Sequence, residues 1–198
     1  RLGEVNLLAI QEHREVSERY DERRAQHEDL ETSVRAIQQT IAKLNKLCRE
    51  RFWETFKQVN EHFQEVYPRL VGGGRARLSL TDPDDLLETG VEIFAQPPGK
   101  RLQSLSLLSG GETAMVAIAL IFSLFRVKPS PFCLLDEVDA PLDEGNGARF
   151  NRMLREMAHR SQFIVITHNK KTMECADTLY GVTMVKPGVS TVVSVQMD

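Results

Sequence analysis

Cysteine is scarce: Cys48, Cys133 and Cys175 are the only three in 198 residues. They are too few and too scattered for a disulfide framework or a metal-ligand cluster, which points to a reducing, intracellular setting. No apolar run reads as long enough to span a membrane, and the first residues do not read as a secretory signal. Excess charge of one sign is also missing. A net charge of -3 provides no global basic field, so any nucleic-acid contact has to come from a local patch. Proline is absent from the first 60 residues, where Gly3 is the only glycine. Internal repeats and low-complexity segments are absent too. What remains is 41% hydrophobic and 27% charged, enough for one good core plus an extension. The sequence opens mid-pattern on Arg1, and it reads as a piece of something longer.

Without helix breakers, the charge-rich stretch of residues 1–50 is free to be one long helix. Leu30, Val34, Ile37, Ile41, Leu44 and Cys48 recur at alternating spacings of four and three, the a/d seam of a coiled coil. Val5, Leu8, Val16 and Tyr20 continue a looser helical pattern upstream. Such a narrow stripe needs a partner helix, and the sequence holds no second heptad segment. The alternative is a helix folded back onto its own domain. From Phe52 the pattern turns aromatic, through Trp53, Phe56, Val59, Phe63, Val66 and Tyr67. That is a helix entering a globular core and ending before Pro68. Gly72-Gly73-Gly74 reads as a turn; no Lys-Ser/Thr follows, so it is not a phosphate-binding loop. Residues 75–80 and 91–95 read as two strands of an antiparallel pair.

The most informative stretch is Leu107-Leu108-Ser109-Gly110-Gly111-Glu112. Ser109 with Glu112 three places on is a capping-box pair. The two glycines leave backbone N–H groups open at the positive end of a helix dipole, an anion site. An ordinary capped core helix would carry the same residues. The helix behind it is apolar almost all round from Met115 to Phe125, which predicts burial. Phe132–Leu135 then runs into Asp136-Glu137, and Phe163–Ile166 into Thr167-His168. Both runs read as parallel strands buried on both faces, joined by a helix over residues 143–160 with a right-handed crossover. A short helix over 170–177 and a hairpin of strands 180–185 and 191–196 close the sequence. Ligands bind beyond the carboxyl ends of parallel strands, where Asp136, Glu137 and His168 fall. An Asp there can hold Mg²⁺ through water, a Glu can act as general base, and a His can reach a terminal phosphate. A solvated acidic pair, a satisfied histidine and a plain N-cap at Asp143 are the bland counterparts.

The order of these motifs carries a resemblance. Leu108-Ser109-Gly110-Gly111-Glu112 resembles the signature motif of ATP-binding-cassette (ABC) ATPases. Residues 132–137 resemble their Walker B strand, Ala140-Pro141-Leu142-Asp143 their D-loop, and Thr167-His168 their switch histidine. Finer wording is similar to the C-terminal head half of prokaryotic SMC (structural maintenance of chromosomes) proteins. It lies in Asp136-Glu137-Val138-Asp139-Ala140-Pro141-Leu142-Asp143, in Ile166-Thr167-His168-Asn169-Lys170, in residues 177–184, in Val59-Asn60-Glu61 and in Gly72-Gly73-Gly74. Thr113 departs from the family, which usually has a basic residue there.

The resemblance implies an α/β fold: the C-terminal lobe of an ABC ATPase with a parallel-sheet P-loop NTPase-like core, plus a protruding coiled-coil neck. Residues 1–50 would be the neck and 51–198 the head half. It implies ATP and Mg²⁺, with Asp136 as metal ligand and Glu137 and His168 as catalytic residues. Leu108, Ser109, Gly110, Gly111 and Glu112 would meet ATP bound on an opposing head, with Asp143 at the interface. Implied partners are the N-terminal half of the same head, a second SMC head in a homodimer, a kleisin subunit and DNA, with no membrane. The implied setting is the cytoplasm, at the nucleoid, in chromosome condensation and segregation. Gly-x-x-x-x-Gly-Lys-Ser/Thr is absent, so the chain alone is expected to be inactive until that half is supplied. Arg69, Arg75, Arg77, Lys100 and Arg101 are candidates for DNA contact, although such scatter is usually a solvated face. The hairpin and the strands near Arg75–Phe94 are candidates for the kleisin. The alternatives are the head of a coiled-coil repair ATPase, or a non-catalytic kleisin-docking module.

Overall fold

The structure is a computed structural model that describes residues 8–196. Val5 of the upstream pattern, with Arg1 and Gly3, lies outside the described residues. The chain divides into two units, residues 1–51 and 52–198. The first unit is helix throughout its described length from Ala9 onward, part of helix α1 (Ala9–Val71). Its stripe is bare: Leu30, Val34, Ile37, Ile41 and Leu44 are all at least half exposed. The flanks carry i,i+4 ion pairs, Arg24–Glu28 at 3.1 Å and Arg35–Glu31 at 3.0 Å. Each such pair adds about 0.3–0.5 kcal/mol. The helix therefore holds itself together locally while leaving its apolar stripe uncovered.

The second unit is built around three helices and three small sheets. The last turns of α1 bury Val59, Phe63, Val66, Tyr67 and Leu70, one helical face. That face packs in one core with helix α2 (Gly110–Val127) and helix α3 (Glu144–Ala158). Phe122 of α2 stacks on Phe150 of α3 with centroids 5.8 Å apart. Strands β1 (Arg75–Leu80), β2 (Val91–Gln96) and β3 (Gln103–Ser104) form an antiparallel sheet in that order. Its inner residues Ala76, Leu78 and Ala95 join the core. Asn60 on α1 docks the sheet: its Oδ1 accepts the Leu78 N–H at 2.8 Å. Strands β4 (Phe132–Asp136) and β5 (Gln162–Ile166) pair in parallel around α3. After the short helix α4 (Lys170–Met173), β6 (Thr178–Lys186) and β7 (Val189–Gln196) form an antiparallel hairpin, its register shifted between Thr183 and Lys186.

Five expectations need correction. Helix α1 runs past Pro68 to Val71. Pro68 leaves one intrahelical bond unmade, at the Gln64 carbonyl, and the helix end beyond it is held from outside: Arg149 on α3 donates to the carbonyls of Leu70 at 2.8 Å and Val71 at 3.1 Å. Gly72 to Gly74, all at positive φ, then turn the chain into β1. At Gly74 a Cβ would stand 2.1 Å from the Gln96 carbonyl oxygen, so only glycine fits. Secondly, α2 is long and apolar enough to span a membrane by length and composition. The burial of Met115, Val116, Ile118, Ala119 and Phe122 makes it a core helix.

Thirdly, α2 is not buried all round, since Ile121 and Leu124 are exposed. Fourthly, β4 and β5 are covered on one face only. Cys133, Leu135, Phe163 and Val165 face the core, with Phe125 of α2 against Phe163 at 6.1 Å. Phe132, Leu134, Ile164 and Ile166 on the other face are 47–61% exposed. A pair of parallel strands needs helices on both sides to be covered, and the described residues supply them on one side. Finally, α4 stops at Met173, short of the helix expected to 177. Strand β3 and the 3-10 turn Leu105–Leu107 escape a reading of the sequence, because two or three residues carry no readable period.

Candidate functional site

Two groups of predicted residues emerge, each at an element end. The first is the start of α2. Ser109 is the N-cap, in extended conformation, and Glu112 sits at the third helical position. The Glu112 carboxylate accepts the Ser109 backbone N–H at 3.0 Å and the Ser109 hydroxyl at 2.8 Å. Lys100, from the turn after β2, adds its ammonium at 2.8 Å. With Lys100 first and the Ser109 N–H next, the Glu112 carboxyl is held down at about 2. Tyr67, nearby in the core, is pushed up to about 12 by burial and then by the Glu112 charge.

Ser109 and Gly110 are exposed, and Leu108 and Gly111 are half-buried. A Cβ on Gly110 would meet nothing within 4 Å, and its φ is not positive. Neither packing nor backbone conformation within this chain calls for glycine there. Something approaching from outside would. Gly111 faces inward, 3.4 Å from the Pro141 carbonyl oxygen by the same measure. Asp143 follows as the N-cap of α3, accepting the Asn146 N–H at 2.7 Å. Gly111, Glu112 and Asp143 share the wall of a cleft of about 310 Å³ with Tyr67, Pro98 and Arg149. The helix start and the Asp143 turn are therefore neighbours.

The Lys100–Glu112 pair has a pH signature. The folded carboxyl stands below its ordinary 4.5, so its contribution to stability is complete above pH 4.5 and is lost as pH falls through about 2. Replacing Glu112 with Gln removes that contribution. The wild-type minus E112Q stability difference, measured by denaturant titration, should be constant above pH 5 and shrink steadily below 4.5.

The second group is at the ends of β4 and β5. Asp136 closes β4 on the bare face of the sheet, paired with Ile166. Glu137 follows at φ 50, a conformation that costs a non-glycine residue of order 1–3 kcal/mol and is met at functional sites. Its backbone N–H donates to the Ile166 carbonyl at 2.9 Å. Its carboxylate meets His168 Nε2 at 3.1 Å, and both side chains are open to solvent. No group of three or more His, Cys, Asp or Glu gathers around a common point among the described residues. Mg²⁺ at phosphates takes only one or two protein carboxylates and completes its shell with water and phosphate oxygens. A single exposed Asp136 fits that mode.

Sequence reasoning missed Asp139. It is 2% exposed, and its Oδ2 accepts the hydroxyls of Thr167 and Thr172, both at 2.6 Å. The one signal for it was an acidic residue in a turn, with a threonine closing the next strand. Four of the five basic residues considered for DNA are engaged within the chain. Arg69 pairs with Glu156 at 2.7 Å, Arg75 bonds Gln96 at 2.6 Å, Arg77 lies over Phe94 and Lys100 pairs with Glu112.

A family model described as the RecF/RecN/SMC N terminal domain matches residues 5–191. That description runs against the C-terminal placement implied by the motif order. The chain is 59% identical over 197 residues to the chromosome partition protein Smc of Myxococcus xanthus, covering 100% of this chain and 16% of that protein. It thus spans under a fifth of this relative's length. Among solved structures it is similar to the Smc head domain with an extended coiled coil from Pyrococcus furiosus, bound to the C-terminal domain of ScpA. There the TM-score is 0.74 and the identity 38%, covering 95% of this chain and 47% of that one. A structure from work on ATP-driven dimerization and DNA-stimulated activation of SMC ATPases matches with TM-score 0.69 and 40% identity, over 75% of this chain and 89% of that one.

Proposed function

The chain belongs to the RecF/RecN/SMC family, and from that premise we propose that it is the signature-motif half of an SMC ATPase head. Residues 1–50 are its coiled-coil neck and 51–198 its share of the head. Two heads close on ATP and open on hydrolysis, driving chromosome partition at the nucleoid in the cytoplasm.

The observation that carries this reading is the open start of α2. Ser109 and Gly110 face solvent, and Gly110 leaves room that its own fold does not use. Bare N–H groups at a helix start attract phosphate. Leu108, Ser109, Gly110, Gly111 and Glu112 present this cap to ATP held by the opposing head, and Asp143 stands beside it at the same interface. Glu112 acts locally. It fixes the Ser109 backbone and hydroxyl, so the cap is ordered before the phosphate arrives.

Hydrolysis falls to the other group. Phosphoryl transfer needs positioning and charge stabilisation more than covalent help. Glu137 takes the proton of the attacking water as general base. His168 holds Glu137 on one side and offers its imidazole to the terminal phosphate. Asp136 would hold Mg²⁺, which when bound neutralises phosphate charge. The bare face of β4 and β5 is where the complementary half docks, the half that carries the Gly-x-x-x-x-Gly-Lys-Ser/Thr loop. Asp136 lies on that same face, so docking brings the nucleotide to it.

The kleisin partner rests on the ScpA domain bound by the Pyrococcus furiosus relative. The hairpin of β6 and β7, exposed apart from the half-buried Leu179 and with Tyr180, Val182, Val192 and Val195 uncovered, offers it an apolar surface. DNA is a partner of the assembled complex, reached through the arms.

The test is Ser109→Arg in the full-length protein. An arginine at the cap fills the space the phosphate needs. ATP-dependent head dimerisation, read by cross-linking or sedimentation, should disappear, while ATP binding to a single head stays within about two-fold. Unchanged dimerisation would remove the proposal.

A further inference from the structure

We propose that Asp139 is the positioning residue of the hydrolytic pair, holding His168 to Glu137 through Thr167 and Thr172. The inference rests on the reading of Glu137 as general base. His168 is 88% exposed at its side chain and meets the Glu137 carboxylate at 3.1 Å. A solvent-exposed side chain keeps a productive orientation only if its backbone is fixed.

Asp139 supplies that fixation from below. Its carboxylate is buried, and both hydroxyl contacts, at 2.6 Å, have the length of charge-assisted O–H···O bonds. Thr167 precedes His168, and its Oγ1 also accepts the Asn169 N–H at 2.9 Å. The residues on both sides of the histidine are therefore anchored to one carboxylate. Thr172, itself 4% exposed, ties in helix α4 behind them.

The same carboxylate belongs to the turn that carries Glu137. The Glu137 carbonyl accepts the Ala140 N–H, and the Asp139 carbonyl accepts the Leu142 N–H, both at 3.1 Å. Without Asp139 the two strand-end loops would be joined by the Glu137 N–H to Ile166 bond and the exposed Glu137–His168 contact. Asp139 lies buried behind the pair and acts through the two threonines.

The experiment uses the full-length protein. Asp139→Ala should lower kcat for ATP about 10- to 100-fold, the cost of misplacing a reacting group by roughly 1 Å. KM for ATP should stay within two-fold. Asp139→Asn, whose side-chain oxygen can still accept both hydroxyls, should recover most of the rate. Replacing Thr167 and Thr172 together by Val should reproduce the loss and add little on top of Asp139→Ala, whereas Ser at both positions should not. If Asp139→Ala fails to fold, by its thermal melt, the Val and Ser pairs decide. An unchanged kcat in the Val pair, or a rise in KM with kcat intact, overturns the inference. Glu137→Gln is run alongside. A normal rate there overturns the reading of Glu137 as base, whereas a dead Glu137→Gln beside a normal Asp139→Ala overturns this inference alone.

Discussion

Glu137→Gln in the full-length protein should reduce steady-state ATP turnover by roughly 10²- to 10⁴-fold, the usual contribution of a general base. The substitution keeps the volume of the side chain and an oxygen that can face His168, but it cannot take a proton. Binding steps should survive, because the proposed phosphate cap lies on α2 and the proposed metal ligand is Asp136. ATP should then accumulate closed heads that open slowly, and the fraction of dimer at saturating ATP should rise above that of the wild type. Turnover is read by phosphate release and dimer by size-exclusion chromatography. A variant with wild-type turnover, or one that loses ATP binding together with turnover, would remove Glu137 from its role. The left-handed backbone at this residue adds a reason to look here: a strained glutamate is kept where its direction matters.

The second large effect concerns the uncovered sheet. Purified by itself, the chain should show no ATP turnover above background, and mixing with the complementary half should restore it. Phe132, Leu134, Ile164 and Ile166 together offer a patch whose burial contributes about 1.5–3 kcal/mol per side chain at most. A lysine at Leu134, in the middle of the patch, should therefore weaken association at least about 100-fold, near 3 kcal/mol. The core behind the sheet is untouched by this change, so the melt of the chain alone should move little. Calorimetric titration of one half into the other measures the affinity, and phosphate release measures the recovery. Activity in the isolated chain, or full-strength association of Leu134→Lys, would contradict the docking face.

Both expectations depend on a site whose parts were largely legible in the residue order. The capping pair Ser109 and Glu112, the acidic end of β4 and the histidine end of β5 are local signals. Short-range geometry is enough to place them on a helix start and two strand ends. Periodicity likewise located α1 and α3, because a helix writes its apolar face every third or fourth residue, while α2 was marked by its capping pair and the apolar run behind it. What periodicity could not say is how many faces of a strand are covered. An unbroken apolar run such as Phe132–Leu135 looks the same whether its second face meets its own chain or another one.

Residue order alone thus determined the long helices and the longer strands, their sequence along the chain and which polar residues stand at their ends. Only the tertiary structure decided three other matters. It left one face of β4 and β5 open, because none of the described residues covers it. It held the end of α1 beyond Pro68 from outside, where Arg149, 79 residues on from Leu70, donates to the final carbonyls. It gathered Asp139, Thr167 and Thr172 around one carboxylate, across separations of 28 and 33 residues. Contacts at that range depend on how whole elements pack, and no local pattern in the sequence records them.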